Sequence, residues 1–419
     1  MRNEGVPVSH RDPHRRSAAI VAAAMVLGAA LAPTADAMPI AASAEASLTT
    51  TWVTIGDPGN PGDTRVLGDG TTGVGAVAHP FRMMKYEVTN ADYAQMLNAV
   101  AKTDPLALYD PLMDPSMDNS FGSGIVRSGT PGSFSYAPAP GRERFPVNYV
   151  SIYDSMRYAN WMQNGEGSAD TETGAYTLLG GTPVPTNGAT VVRNPGAKVF
   201  IPTWDEWYKA AYYSAAQHRY FLYPTGTDTV PTCSKPTAAP NTAACNNAIA
   251  VHYAPVGSYP ASPSPYGTYD QGGNIHEWLE TLTSENPVCT QGAPTICAPS
   301  GSVPAPGAEY RKVHGGDGQD PVELLASVNR SSLVGAGEFS ADGFRLAAAA
   351  LPSASSSPTT PTTTGTPKRP RVSGQSHAPA VATPDESLAA TGLSGRAPVI
   401  ALALLVGFAA AAAALRRSR

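Results

Sequence analysis

The side chains best suited to chemistry are four thiols, a few imidazoles and one pair of carboxylates around a diglycine. Cys233, Cys245, Cys289 and Cys297 are the only cysteines among the 419 residues. No two stand in C-x-x-C spacing, which argues against a thiolate metal site, and an even number suits disulfides in an exported chain. Three pairings are open. Cys233–Cys245 with Cys289–Cys297, each closing a loop rich in Pro, Thr and Ala, is the expected one. His276 and His314 belong to no HxxxH or HxE pair, and no G-x-S-x-G elbow occurs. Both are expected as ordinary surface or core imidazoles. Asp270 and Glu277 flank Gly272-Gly273 and, taken alone, read as caps of a turn and a helix.

Such residues need elements to hold them, and three helix starts share one device. Thr89-Asn90-Ala91-Asp92, Ser151-Ile152-Tyr153-Asp154 and Thr203-Trp204-Asp205-Glu206 each place a hydroxyl three residues before a carboxylate. The hydroxyl accepts from the open N–H groups of the first turn, and the acid suits the positive end of the helix dipole. Apolar residues follow at helical spacing: Tyr93, Met96, Leu97 and Val100, then Met156, Ala159 and Met162, then Trp207, Ala210 and Ala211. These aromatic residues are expected in the core. Forty Gly and forty Pro favour short elements joined by long loops over a helical bundle. A net charge of −5, with no basic excess, argues against nucleic acid as a partner.

The two ends read as processing and anchoring segments. Arg11, Arg15 and Arg16 precede an apolar stretch from Ala18 to Ala32, and Ala35-Asp36-Ala37 follows in the small-x-small pattern of a cleavage site. Residues 1–37 are therefore expected to be a signal peptide. Residues 350–387 are rich in Pro, Ser and Thr with almost no large apolar side chains, the composition of an extended linker. Leu388-Ala389-Ala390-Thr391-Gly392 comes next, then an apolar run at 397–415 and a basic tail at 416–419. Nineteen apolar residues rise about 28 Å as a helix, enough to cross a bilayer core with the arginines left on the cytoplasmic side. The order of pentapeptide, span and basic tail resembles a sortase cell-wall sorting signal, LAATG being similar to the variant of high-GC Gram-positive bacteria. That resemblance implies cleavage between Thr391 and Gly392, a sortase and a cell-wall precursor as partners, and a cell-surface location.

Between the ends, KYEVTNADYAQML, FPVNYVSIYDSMRYANWM, VFIPTWDEWYKAAYY, YGTYDQGGNIHEW and GFRLA occur in one order. This series resembles the formylglycine-generating enzyme/sulfatase-modifying factor domain, over residues 50–349. The resemblance implies a compact, loop-rich α+β fold related to C-type lectins. It also implies structural calcium on Asp270 and Glu277 with carbonyls of Gly273 and Ile275. Such hard oxygen donors suit that ion. Asn241 aligns loosely with a second calcium site, and Arg345 reads as a buried structural arginine.

The family's oxidase holds copper on two cysteines shortly after a Gly-Gly-Ser motif. Here the matching stretch is Val313 to Pro321, and no cysteine follows Cys297. A soft Cu(I) ion wants thiolates, so copper is not expected. The helical-bundle domain that supplies iron ligands in the family's sulfoxide synthases has no counterpart in the sequence. The function expected is therefore a surface-displayed binding module, its unknown extracellular ligand met by the loops Asp110 to Gly141 and Gly315 to Gly337. An oxidase-like enzyme acting on a sulfatase or another protein is the competing reading.

Overall fold

The computed structural model describes residues 50–67, 70–117, 121–283, 309–329 and 331–351. The signal peptide, linker, LAATG motif, apolar span, basic tail and the pair Cys289 and Cys297 lie outside the described residues. Every element below belongs to one unit within residues 1–353. Among the described residues no helix is long and apolar enough to cross a membrane.

All three capping signatures close as read. Helix α1 spans Asn90–Val100, α2 Ile152–Gln163 and α3 Trp204–Tyr212, each with a reciprocal capping box. Ser151 Oγ accepts from Asp154 N at 3.2 Å while Asp154 Oδ2 accepts from Ser151 N at 2.9 Å. Two orphan N–H groups are thereby satisfied at each helix start, with no help needed from distant parts of the chain. The faces they turn inward carry Tyr93, Met96 and Leu97, then Met156 and Ala159, then Trp207, Ala210 and Ala211, all buried. Val100 and Met162, at the helix ends, are only partly covered.

Strands are short and numerous: β1 Trp52–Ile55, β2 Phe81–Met84, β3 Ile125–Ser128, β4 Ser135–Pro138, β5 Val199–Phe200, β6 Tyr213–Ser214, β7 Arg219–Tyr220, β8 Thr232–Cys233 and β9 Thr242–Ala243. The remainder are β10 His276–Thr283, β11 Tyr310–His314, β12 Ser331–Val334, β13 Asp342–Gly343 and β14 Ala347–Ala349. One four-stranded sheet runs β1-β2-β14-β5 and a second runs β12-β11-β10-β13. In the second, β10 pairs with β13 in parallel, setting His276 opposite Asp342 and Glu277 opposite Gly343. The small helical content and two small sheets agree with a loop-rich α+β domain.

The disulfide Cys233–Cys245 forms as expected, with Cα atoms 4.9 Å apart and Cys245 fully buried. The segment Asp110 to Gly141 is not all loop, because β3 and β4 make an antiparallel hairpin in it whose exposed tip spans 128–133. The second expected ligand loop differs more. Gly315 to Gly318 and Asp320 are buried, so the first part of that segment is core and cannot meet a ligand.

Candidate functional site

The turn between Asp270 and β10 is built on backbone that few residues tolerate. Asp270 and Asn274 have φ of 60° and 67°, and Gly273 has φ of 78°. A Cβ on Gly273 would overlap the Ala244 carbonyl, so only glycine fits there. Asn274 fastens the turn with every polar group it has. Its N donates to Ala244 O at 2.9 Å and its carbonyl accepts from Gly318 N at 3.0 Å. Its Oδ1 accepts from Ala254 N at 2.8 Å, and its Nδ2 donates to Glu87 Oε1 at 3.0 Å.

Glu277 pairs with Arg345 in a buried cluster with Glu87, and Asp270 is near enough to feel the charges of Glu277 and Arg345. Glu277 Oε2 accepts from Arg345 Nε at 2.6 Å and from Trp207 Nε1 at 2.8 Å, while its Oε1 accepts from Arg345 Nη2 at 2.8 Å. Arg345 is fully buried, as expected, and spends its other donors on the carbonyls of Tyr269, Met84 and Lys85. Asp270, half-buried, accepts from Gly257 N at 2.6 Å and lines a small pocket with Thr225, Thr242, Ser262, Ser264 and Thr268. Burial, with the neighbouring Glu277 charge adding, pushes Asp270 up to about 6. Glu87 is 1% exposed, and its Oε2, 3.7 Å from Arg345 Nη2, has no hydrogen-bond partner. Burial raises Glu87 well above the usual carboxylate range.

Three carboxylates thus face one guanidinium, and a buried oxygen is left over. A carboxylate offers about four lone-pair sites, of which Glu277 uses three. Both Glu277 oxygens are held, by Arg345 and Trp207, so a hard cation such as calcium would find a single free site there, on Oε1. No three His, Cys, Asp and Glu side chains converge on a possible metal position among the described residues, so any further ligands would have to be backbone carbonyls. Asn241 is used otherwise: its Oδ1 accepts from Thr225 Oγ1 at 2.7 Å and its Nδ2 donates to Val230 O at 3.1 Å.

A second cluster fills the stretch that matches the family's copper loop. His276 Nε2 lies 3.0 Å from Asp320 Oδ2 and its Nδ1 lies 3.4 Å from Asp342 Oδ1, all three residues being buried. An imidazole between two carboxylates must carry protons on both nitrogens to serve both. Burial opposes that charge, yet the bonds to Asp320 and Asp342 outweigh it and raise His276 well above its ordinary pKa. Asp317 and Asp320 lock the loop by exchange: Asp320 Oδ2 accepts from Asp317 N at 3.0 Å, and Asp317 Oδ1 from Asp320 N at 2.9 Å. Burial, offset in part by His276, puts Asp317 at about 6.

His314 is the opposite case. It packs 4.6 Å from the Trp207 ring and near Tyr208, Tyr212 and Trp204, and burial, with the Lys312 and His276 charges adding, drives it down to about 3. One histidine is a core cation and the other a core neutral ring. The partners that decide this, Asp317, Asp320 and Asp342, were not among the residues singled out from sequence. Glu87 was missed as well. The only local signal was the close pair Asp317 and Asp320 directly after Gly315-Gly316.

The family profile described as the sulfatase-modifying factor enzyme 1-like domain matches residues 64–350. Solved structures similar to the chain include one described as the crystal structure of CarF, 20% identical with a TM-score of 0.45, spanning 72% of this chain and 99% of that one. Treponema denticola variable protein 1 is 18% identical with a TM-score of 0.43, over 72% of this chain and 95% of its own. PvdO from Pseudomonas aeruginosa is 19% identical with a TM-score of 0.37, over 72% and 92%. No curated protein matches the chain by sequence.

Proposed function

The chain belongs to the sulfatase-modifying factor family, and from that premise we propose that it is a binding and interaction module without the oxidase chemistry of the formylglycine-generating branch. One observation carries this reading. The loop after Gly315-Gly316 is closed by the buried His276–Asp320 ion pair and the Asp317–Asp320 exchange, where copper chemistry would need a pair of thiolates. Of the thiols within the described residues, Cys233 and Cys245 are consumed in their disulfide. Copper has no place in the proposed function.

Ligand contact falls on two exposed parts of the first expected loop, around residues 111–112 and 116–117 and at the hairpin tip 128–133. Behind the tip, Arg127 lies between the rings of Tyr109 and Phe134, 4.6 and 4.5 Å from their centroids, which stiffens the hairpin base. Calcium on Asp270 and Glu277 with the carbonyls of Gly273 and Ile275 holds the turn before β10, a structural role. The module is exported, cleaved after Thr391 by a sortase and carried on the cell wall; the apolar run at 397–415 holds it in the membrane until then.

The deciding experiment supplies the purified protein with copper, oxygen and a cysteine peptide of the sulfatase type. No turnover above a no-protein control is expected, and any aldehyde product would overturn the module reading in favour of the oxidase. A glycan and peptide array on the same protein then seeks the ligand. Loss of array binding in a variant with the tip 128–133 replaced by a Gly-Ser turn is the supporting outcome.

A further inference from the structure

The small pocket beside the turn is lined with hydroxyls whose hydrogens are already committed. Thr242 Oγ1 donates to Ala239 O at 2.8 Å, Thr225 Oγ1 to Asn241 Oδ1 at 2.7 Å, and Thr268 Oγ1 to Gln271 Oε1. With Thr268 the donor to Gln271, Ser264 Oγ must donate to Thr268 Oγ1, at 2.6 Å. Ser262 Oγ accepts from Thr242 N at 2.9 Å and has Thr242 Oγ1, at 3.4 Å, to donate to. A hydroxyl carries one hydrogen and two lone pairs. What these five leave for an occupant is therefore lone pairs, and the pocket accepts hydrogen bonds without offering them.

Asp270 is the one charged side chain in the lining. Its Oδ2 accepts from Gly257 N at 2.6 Å, and its Oδ1 has no hydrogen-bond partner among the described residues. Arg345 and Arg144 offset part of its charge without bonding to it, since their donors go to Glu277 and to backbone carbonyls. Asp270 and Thr225 are half-buried, whereas Thr242, Ser262, Ser264 and Thr268 are buried. The pocket has room for about one water-sized group. A water brings two hydrogens and no charge. An anion would meet only acceptors and a like charge. A primary ammonium is of similar size to water and brings three donors together with the opposite charge.

We propose that this pocket binds the ammonium end of a lysine side chain from a partner protein, with Asp270 as counter-ion and the lining hydroxyls as acceptors. Lysine is favoured over an amino sugar by shape. Four of the acceptors are buried behind Asp270 and Thr225, so the amine must arrive on a thin, unbranched stem, and the amine of a sugar sits directly on a wide ring. The site is separate from the hairpin tip and does not rest on the calcium reading, although calcium at Asp270 would compete with the amine. Trimethylation of the lysine keeps its charge but removes every donor and widens the head, so it must abolish the fit.

The test titrates the whole purified protein, in EDTA to keep calcium from Asp270, with Nα-acetyl-lysinamide, its Nε-trimethyl form and glucosamine, followed by calorimetry. The unmethylated lysine compound is expected to bind saturably, and the other two at least about ten-fold more weakly. Asp270→Asn keeps an oxygen for Gly257 N but removes the charge, and should weaken lysine binding at least about ten-fold. Thr225→Val removes one acceptor at constant shape and should weaken it several-fold with an unchanged melting temperature. No saturable binding of the lysine compound means that the pocket holds water only, and overturns the proposal. Equal binding of the trimethyl form, or of Asp270→Asn, overturns it in favour of a diffuse negative field. Tighter binding of glucosamine than of lysine overturns the lysine assignment. Should Asp270→Asn fail to fold, the trimethyl comparison on the parent and the Thr225→Val titration still decide.

Discussion

Replacing Arg345 by Met removes the cation of the buried cluster while keeping much of its volume, and the cost can be worked from its partners. Arg345 Nε and Nη2 hold both oxygens of Glu277, at 2.6 and 2.8 Å, and the remaining donors serve the carbonyls of Tyr269, Met84 and Lys85. Breaking a buried ion pair from one side costs about 3–5 kcal/mol, because the surviving charge stays buried. Each carbonyl left without a donor adds about 1 kcal/mol, though such terms overlap and do not sum in full. A loss of about 4–6 kcal/mol is expected, comparable with the whole stability of many domains. Urea unfolding followed by tryptophan fluorescence reads it directly, since Trp207 and Trp278 are fully buried and Trp207 donates to Glu277. Glu277→Leu in the Arg345→Met background should recover about 1–3 kcal/mol, as removing both partners leaves no orphaned charge. A loss below about 1 kcal/mol, or strict additivity of the two changes, would refute the account of this pair.

Three further outcomes follow from the same structure. Ser151→Ala removes the hydroxyl of the α2 capping box and should lower stability by about 1 kcal/mol in a urea melt, whereas no change would deny the cap its role. Reduction of Cys233–Cys245, which spans 12 residues, should cost about 3 kcal/mol on the loop-entropy account; alkylation of both thiols without prior reduction would contradict the bond. Stability should also rise as pH is lowered from 8 to 5. Burial is the first cause of raised pKa at Asp154 and Asp317, each about 6, and at Glu338, about 9, where Asp154 and Asp110 add to it. Carboxyls titrate near 4 when unfolded, so between about pH 4 and those values the folded chain holds more protons, and stability is lost as pH rises through them. Asp63 and Glu206 are lowered and act the other way only below about pH 4; His314, driven down to about 3, acts the other way below about pH 6.5, and His276, raised well above its ordinary value, acts with the carboxyls above it. A melting temperature that climbs steadily from pH 5 to 8 would refute this.

What could be read from sequence was what is settled locally. A hydroxyl and a carboxylate three residues apart decide a helix start on their own, so Thr89, Ser151 and Thr203 were legible. The burial of Arg345 and the disulfide Cys233–Cys245 were legible too, one from its motif and one from its loop. The charge clusters were not. His276 meets Asp320 and Asp342 only because β10 and β13 pair in parallel and the loop after β11 folds back over them. Nothing near His276 in the sequence tells a core cation from the neutral ring that His314 becomes. Glu87 was hidden by the same distance, its contacts visible only once Asn274 and Arg345 stand beside it.

The short strand β14 has a mechanical meaning. Ala347–Ala349 lies inside its sheet, bonded on one side to β2 and on the other to β5, and is the last strand of the described residues. For a domain carried by its C-terminal end, tension enters at Leu351 and reaches this strand first. Two rows of antiparallel bonds must then give way together, and the next side chains inward include Arg345, bolted to Glu277. Fluid drag on such a protein would therefore be borne by a central strand and a buried ion pair. An edge strand in that place could be unzipped one bond at a time.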